Sequence, residues 1–194
     1  YGERVTKLNR AAVALAREAA GSEAWVMGDL GPLQGKGRAK AVAASLFAEQ
    51  IEALVGGGVD GLWFETMSGP EEVARGLEAA RLASTVPVFV TLPFWERRPG
   101  RYCTRSGATL SETIRGVVEQ GCEAVCINCL EDPGMIRRVM AAMASLTSVP
   151  LVAKPNAGLP SRTPRGLRYP VTPRRFAEAA AALRPLGVRV VGGC

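Results

Sequence analysis

The chain has 194 residues, 47% of them hydrophobic and 22% charged, with a formal net charge of +6, the makeup of one domain over residues 1–194 with a substantial core. Apolar stretches such as Val86 to Phe94 fall well short of the roughly 20 residues a membrane-spanning helix needs, and no signal-peptide pattern is present, so the expectation is a cytoplasmic protein with no membrane partner. The charge comes from 20 arginines against four lysines, scattered along the chain rather than gathered on a basic face with interleaved aromatics, which argues against nucleic acid.

In chain order, Val5, Leu8, Ala12, Leu15 and Ala19 recur at spacings of three and four and predict an opening helix with that face inward. Strand-like runs begin near Ala24, Gly61, Val86, Glu123, Pro150 and Gly187, at intervals that suit βα units. Helices fill the gaps. One carries Val42, Leu46, Phe47, Ile51 and Leu54, and another Met135, Ile136, Val139, Met140 and Met143, a methionine set that reads as core filler. Thr109-Leu110-Ser111-Glu112 is a capping box, while Asp132-Pro133 and Thr172-Pro173 each place a cap residue before a first-turn proline. Gly56 to Gly58, Gly121 and Gly187 stand where helices end. Arg97, Arg98, Arg101 and Arg105, and later Arg162, Arg165 and Arg168, are expected on solvated loops beside the strand ends.

Alternating strands and helices imply a parallel sheet, either open and doubly wound or closed as a (β/α)₈ barrel. The nucleotide-binding open sheet needs a Gly-rich turn after an early strand, yet no G-x-G-x-x-G occurs; Gly28-Asp29-Leu30-Gly31 and Gly35-Lys36-Gly37 are the nearest approaches. An eight-unit barrel needs about 250 residues. We therefore expect an incomplete (β/α)₈ TIM barrel with six of its eight units present.

Functional residues of parallel α/β folds gather at the carboxyl ends of the strands. Here those ends read Gly28 to Pro32, Phe64-Glu65-Thr66, Thr91 to Phe94, Asn128-Cys129, Lys154 to Pro160 and Gly192-Gly193-Cys194. The chain has no histidine. A metal or nucleophile site must then use cysteine and carboxylate, for which zinc is the natural ion. Five cysteines without a disulfide-framework spacing suit free or metal-bound thiols. Strand alternation over 124–129 sets Cys129 with Val125 and Ile127, opposite Cys126 and Asn128. Cys126 and Cys129 are thus poorly placed to share one metal. Cys122 and Cys126 read as buried, and Cys103 as exposed. Glu65, behind Leu62-Trp63-Phe64, needs a cationic partner, either a substrate ammonium or a rim arginine.

Together these strand ends resemble the homocysteine S-methyltransferase domain shared by cobalamin-dependent methionine synthases and betaine–homocysteine methyltransferases. Asn9-Arg10-Ala11-Ala12 is similar to the family's Asn-Arg-Ala-Ala helix, Gly28 to Pro32 to its Gly-Ser-x-Gly-Pro turn, and Phe64-Glu65-Thr66 to its Glu-Thr pair. Asn128-Cys129 resembles the first zinc-ligand motif, Pro155 to Pro160 the Pro-Asn-Ala-Gly-Leu-Pro loop, and Gly192-Gly193-Cys194 the start of the Gly-Gly-Cys-Cys motif. The motifs are collinear over essentially the whole chain.

The resemblance implies a zinc-dependent transfer of a methyl group to the thiol of homocysteine, giving methionine. Carried over, Cys129 and Cys194 are zinc ligands, Glu65 orients the homocysteine amino group, and Thr66, Asn128 and Asn156 shape the substrate rim. The methyl donor is a small molecule (betaine or S-methylmethionine) or a corrinoid on further domains fed by a folate. The family's third ligand corresponds to residue 195 and its first two βα units to chain before Tyr1. For the 194-residue chain alone the expectation is accordingly weak zinc binding and no turnover. Two other readings stay open: a barrel relic that binds or scaffolds without catalysis, and a phosphate-binding barrel using Gly192-Gly193.

Overall fold

The computed structural model describes residues 4–33, 40–130 and 133–194. Helix α1 (Val5–Ala20) leads to β1 (Met27–Leu30), α2 (Lys40–Val55), β2 (Gly61–Phe64), α3 (Pro70–Ala83) and β3 (Val88–Thr91). A hairpin of β4 (Trp95–Arg98) and β5 (Arg101–Cys103) precedes α4 (Leu110–Glu119), β6 (Ala124–Asn128), α5 (Pro133–Ala144) and β7 (Leu151–Lys154). A second hairpin, β8 (Ser161–Thr163) and β9 (Gly166–Arg168), then gives way to α6 (Pro173–Ala181), a 3₁₀ turn (Arg184–Leu186) and β10 (Val188–Val191). The Gly35–Gly37 run, the Val42 side chain and the Asp132 cap lie outside the described residues.

Six strands form one parallel sheet in the order β1-β2-β3-β6-β7-β10. That order never reverses. A doubly wound sheet turns back at a switch point, whereas a barrel adds each strand beside the last, so the sheet is a barrel segment. It is not closed: among the described residues β1 and β10 each have a single neighbour.

The pleat separates two environments. Leu30, Leu62, Phe64, Val88, Val90, Val125, Ile127, Leu151 and Ala153 enter the main core beneath the helices, and Met140 and Met143 complete it at 0% exposure. The opposite, concave face holds a small apolar floor of Ala124, Cys126 and Val152 against Trp63 and Phe89, whose rings meet edge to face at 5.3 Å. The capping box at Thr109 and Glu112 is present, as is the Thr172 cap before Pro173. Gly121 and Gly187 have φ of 79° and 83°, the left-handed region that ends helices.

Helix α1 is rotated from its apolar pattern. Leu8 and Leu15 are 47% and 68% exposed, while Val13 is buried and Asn9 and Arg17 face inward. Polar tethers set this rotation: Arg17 donates to the Asp60 carboxylate at 2.8 Å and to the Gly58 carbonyl at 2.9 Å, and Gln50 donates to Asn9 at 3.3 Å. The arginine segments also differ from the expected loops, since Arg97, Arg98 and Arg101, and Arg162 and Arg168, lie on the two hairpins. Cys103 is half-buried on β5.

Gly76 in α3 shows how tightly helix and sheet meet. A Cβ there would lie 2.3 Å from the Phe64 ring, which is fully buried and packs edge to face on Phe47. Glycine to alanine inside a helix normally gains about 1 kcal/mol, but forcing a methyl into a filled core costs about 1–3 kcal/mol. Gly76→Ala is expected to lower stability in urea denaturation by about 1 kcal/mol or more; an increase would show that the ring yields without cost.

Candidate metal centre

The concave face turns polar toward the carboxyl ends of the strands. Asn128 and Lys154 are register partners on β6 and β7. Asn128 is fully buried; its amide nitrogen donates to Glu65 Oε1 and, at 2.7 Å, to Thr66 Oγ1. The other Glu65 oxygen accepts from Lys154 Nζ at 2.6 Å. Lys154 in turn sits 4.4 Å from the Trp63 ring centroid, and Trp63 Nε1 donates to Thr91 Oγ1 at 2.5 Å. Glu65 therefore does have a cationic partner, but it is a lysine on β7 rather than a rim arginine.

Two residues just past the strands carry unusual backbone angles. Thr66 has φ of 56° and Cys129 φ of 52°, the non-glycine residues with positive φ among those described. Each holds a conformation costing an L-residue roughly 1–2 kcal/mol, strain of the kind that accumulates at functional sites. Cys129 consequently does not continue the alternation of β6. The strand ends at Asn128, and the turn carries the Cys129 sulfur to 4.0 Å from Thr66 Oγ1.

The second thiol arrives from the other end of the chain. Gly192 N–H donates to the Ala153 carbonyl at 2.9 Å and Cys194 N–H to that of Pro155 at 3.1 Å, which lays the segment after β10 along the end of β7. Cys194 Sγ then lies 3.3 Å from Cys129 Sγ. Both cysteines are exposed and free. A disulfide needs about 2.05 Å, whereas two thiolates on one tetrahedral zinc, each bonded at about 2.3 Å, stand near 3.8 Å apart. A small opening of the pair fits zinc. The Cys129 thiol is held protonated: partial desolvation first, then the neighbouring Cys194 sulfur, pushes it up to about 11. Among the described residues no group of three or more His, Cys, Asp or Glu is placed to hold a metal, so the donors in view are these two sulfurs.

The remaining residues sort themselves by burial. Burial pushes the Cys122 thiol up to about 12 and raises Cys126 as well, leaving both inert packing groups. Asn156 lies on the loop after β7, and its Oδ1, like that of Asn128, is buried without a hydrogen-bond partner. Glu65, Thr66, Asn128, Cys129 and Cys194 are thus linked by direct contacts, whereas the Asn156 Oδ1 on the loop after β7 has no hydrogen-bond partner. Sequence reasoning places Lys154 and Asp29 at strand ends without giving them a role, and it misses Trp63. Their signal was register: each occupies an inward position of its strand.

A model of the homocysteine S-methyltransferase family matches residues 1–194. Methionine synthase of Mycobacterium tuberculosis (strain ATCC 25618 / H37Rv) is 27% identical over 208 residues, covering 99% of this chain and 17% of that protein. Its counterpart from Mycobacterium leprae (strain TN) is 26% identical over 180 residues, covering 88% and 15%. The chain spans about a sixth of the length of these relatives. The apo form of the homocysteine methyltransferase MmuM from Escherichia coli superposes with a TM-score of 0.79 at 20% identity, over 100% of this chain and 70% of that one. Its metallated form gives 0.77 at 20% identity, over 97% and 66%. At that identity the likeness shows the fold: a partial TIM barrel.

Proposed function

Since the chain belongs to the homocysteine S-methyltransferase family, we propose that it binds homocysteine and presents the thiol for methylation to methionine, with Cys129 and Cys194 holding a zinc ion. The observation that carries this reading is the 3.3 Å approach of two cysteine sulfurs beside the Glu65–Asn128 pair. Bound zinc would supply a Lewis acid that deprotonates a coordinated thiol, a function a chain without histidine has no neutral-pH base to perform.

The chain's own residues do the rest. Cys129 and Cys194 give up their protons to become ligands, which requires a cation because burial otherwise keeps Cys129 neutral. The positive φ at Cys129 aims its sulfur at Cys194 instead of into the helical core. Glu65, fixed at one oxygen by Asn128 and at the other by Lys154, offers a preoriented carboxylate to the substrate ammonium. Thr66 and Asn128 brace each other and keep that carboxylate next to the thiols, while Asn156 contributes a free acceptor from the loop.

The donor is either a small molecule such as betaine or S-methylmethionine, or a corrinoid carried elsewhere in a longer protein. Among the described residues no helix is long and apolar enough to cross a membrane. Assay of a longer protein that contains this chain, with homocysteine and each donor in turn, tests the proposal, since the 194-residue chain alone is expected to bind zinc weakly and not to turn over. Methionine is expected with at least one donor, lost on chelation and restored by zinc. Methionine formation that survives chelation would contradict the zinc role, and none with any donor would favour a non-catalytic relic.

A further inference from the structure

The concave face beside the thiols carries more charge than a sulfur-ligand site requires. Asp29 on β1, Glu65 after β2 and Lys154 on β7 all point into it, and Lys154 is the one basic residue at the inward positions of β1, β2, β3, β6 and β7. The Lys154 and Glu65 side chains are 23% and 20% exposed and joined at 2.6 Å. Burial and the nearby Glu65 hold the Asp29 carboxyl above its ordinary range, with Lys154 and the Leu30 N–H only partly offsetting them. Two carboxylates thus face one ammonium.

Surplus negative charge asks for a cationic donor. The resident ammonium, clamped between a carboxylate and an aromatic face, asks for an anion. One small ligand supplies both: the zwitterionic head of an α-amino acid.

We propose that Lys154 receives the substrate α-carboxylate, so that the site reads both ends of the zwitterion, the ammonium on Glu65 and the carboxylate on Lys154. The assignment rests on the homocysteine reading and goes beyond it by naming the carboxylate receptor. Entry of the head converts one ion pair into an alternating row of four charges. Without Lys154 the substrate carboxylate would meet Asp29 and Glu65 with no intervening cation, a like-charge contact. Lysine suits the task because its compact ammonium has three rotatable donors and can hold Glu65 and the ligand together, while the Trp63 face keeps it in place.

Calorimetric binding of two thiols tests this: L-homocysteine, and 3-aminopropane-1-thiol, which lacks the carboxylate. The wild-type protein is expected to prefer L-homocysteine by about tenfold or more. Lys154→Met is expected to erase that preference, weakening L-homocysteine by about tenfold while the aminothiol binds as before or more tightly. Lys154→Arg restores part of it. A Lys154→Met protein that keeps the preference, or weakens both thiols alike as a structural role would, overturns the assignment; so does a wild type that binds both equally, and in each case the homocysteine reading stands. A wild type that binds neither thiol overturns both.

Discussion

Cys129→Ser is expected to strip zinc from the protein and to lower methyl transfer by about a hundredfold or more, since even changes behind a metal ligand cost about 10–100-fold in affinity or activity. A cysteine bound to zinc is a thiolate, and the metal deprotonates it outright; a serine hydroxyl stays neutral and is a poor ligand for the same ion. The fold tolerates the change because Cys129 is exposed and its neighbours Asn128, Thr66 and Glu65 are joined to one another independently of its sulfur. Zinc content after dialysis, with far-ultraviolet circular dichroism to verify folding, checks the prediction. A folded variant that retains stoichiometric, chelator-resistant zinc would contradict it.

Glu65→Gln should separate the amino acid pocket from the metal. The substituted amide still accepts from Asn128, but it removes the negative charge that holds Lys154 at 2.6 Å and that would hold the substrate ammonium. Loss of a charged hydrogen bond costs about 1.5–3 kcal/mol, so homocysteine binding is expected to weaken about tenfold to a hundredfold while zinc content stays at the wild-type level. The variant should also be less stable by about 1 kcal/mol or more, because a partly buried lysine loses its hydrogen-bonded counter-ion. Titration of homocysteine into the zinc-loaded variant measures the first effect. Unchanged affinity would mean that Glu65 serves only the Lys154 ion pair.

Much of the architecture is legible in the residues because burial on both faces writes parallel strands as apolar runs. The runs expected near Gly61, Glu123, Pro150 and Gly187 begin within a residue or so of β2, β6, β7 and β10. Helix α1 is where the pattern misleads. Its apolar stripe reads inward, yet two polar tethers, Arg17 to Asp60 and Gln50 to Asn9, outweigh it and bury Val13 instead. Neither hairpin is legible in that pattern, although Pro99-Gly100 between Trp95 and Cys103 is a turn signal; strands of three or four residues that carry arginine do not look like strands.

The site divides in the same way. Chain order and strand ends bring Cys129, Cys194, Glu65, Thr66 and Asn128 into view, and the structure gathers all five. Alternation failed at Cys129, because period-two reasoning assumes extended backbone and this residue has φ of 52°. Lys154 was invisible as a site residue, since its meaning comes from standing beside Asn128 in register and above Trp63, relations between strands that no local pattern encodes.

On the function proposed above, Cys129 and Cys194 hold a zinc ion to which the homocysteine thiol binds. X-ray absorption at the zinc edge, recorded on the zinc-loaded protein before and after addition of homocysteine, tests it most directly. Sulfur neighbours are expected at about 2.3 Å, their number rising by one on adding homocysteine and falling by one in Cys129→Ser. A sulfur count unmoved by homocysteine, or unmoved by that substitution, would contradict it.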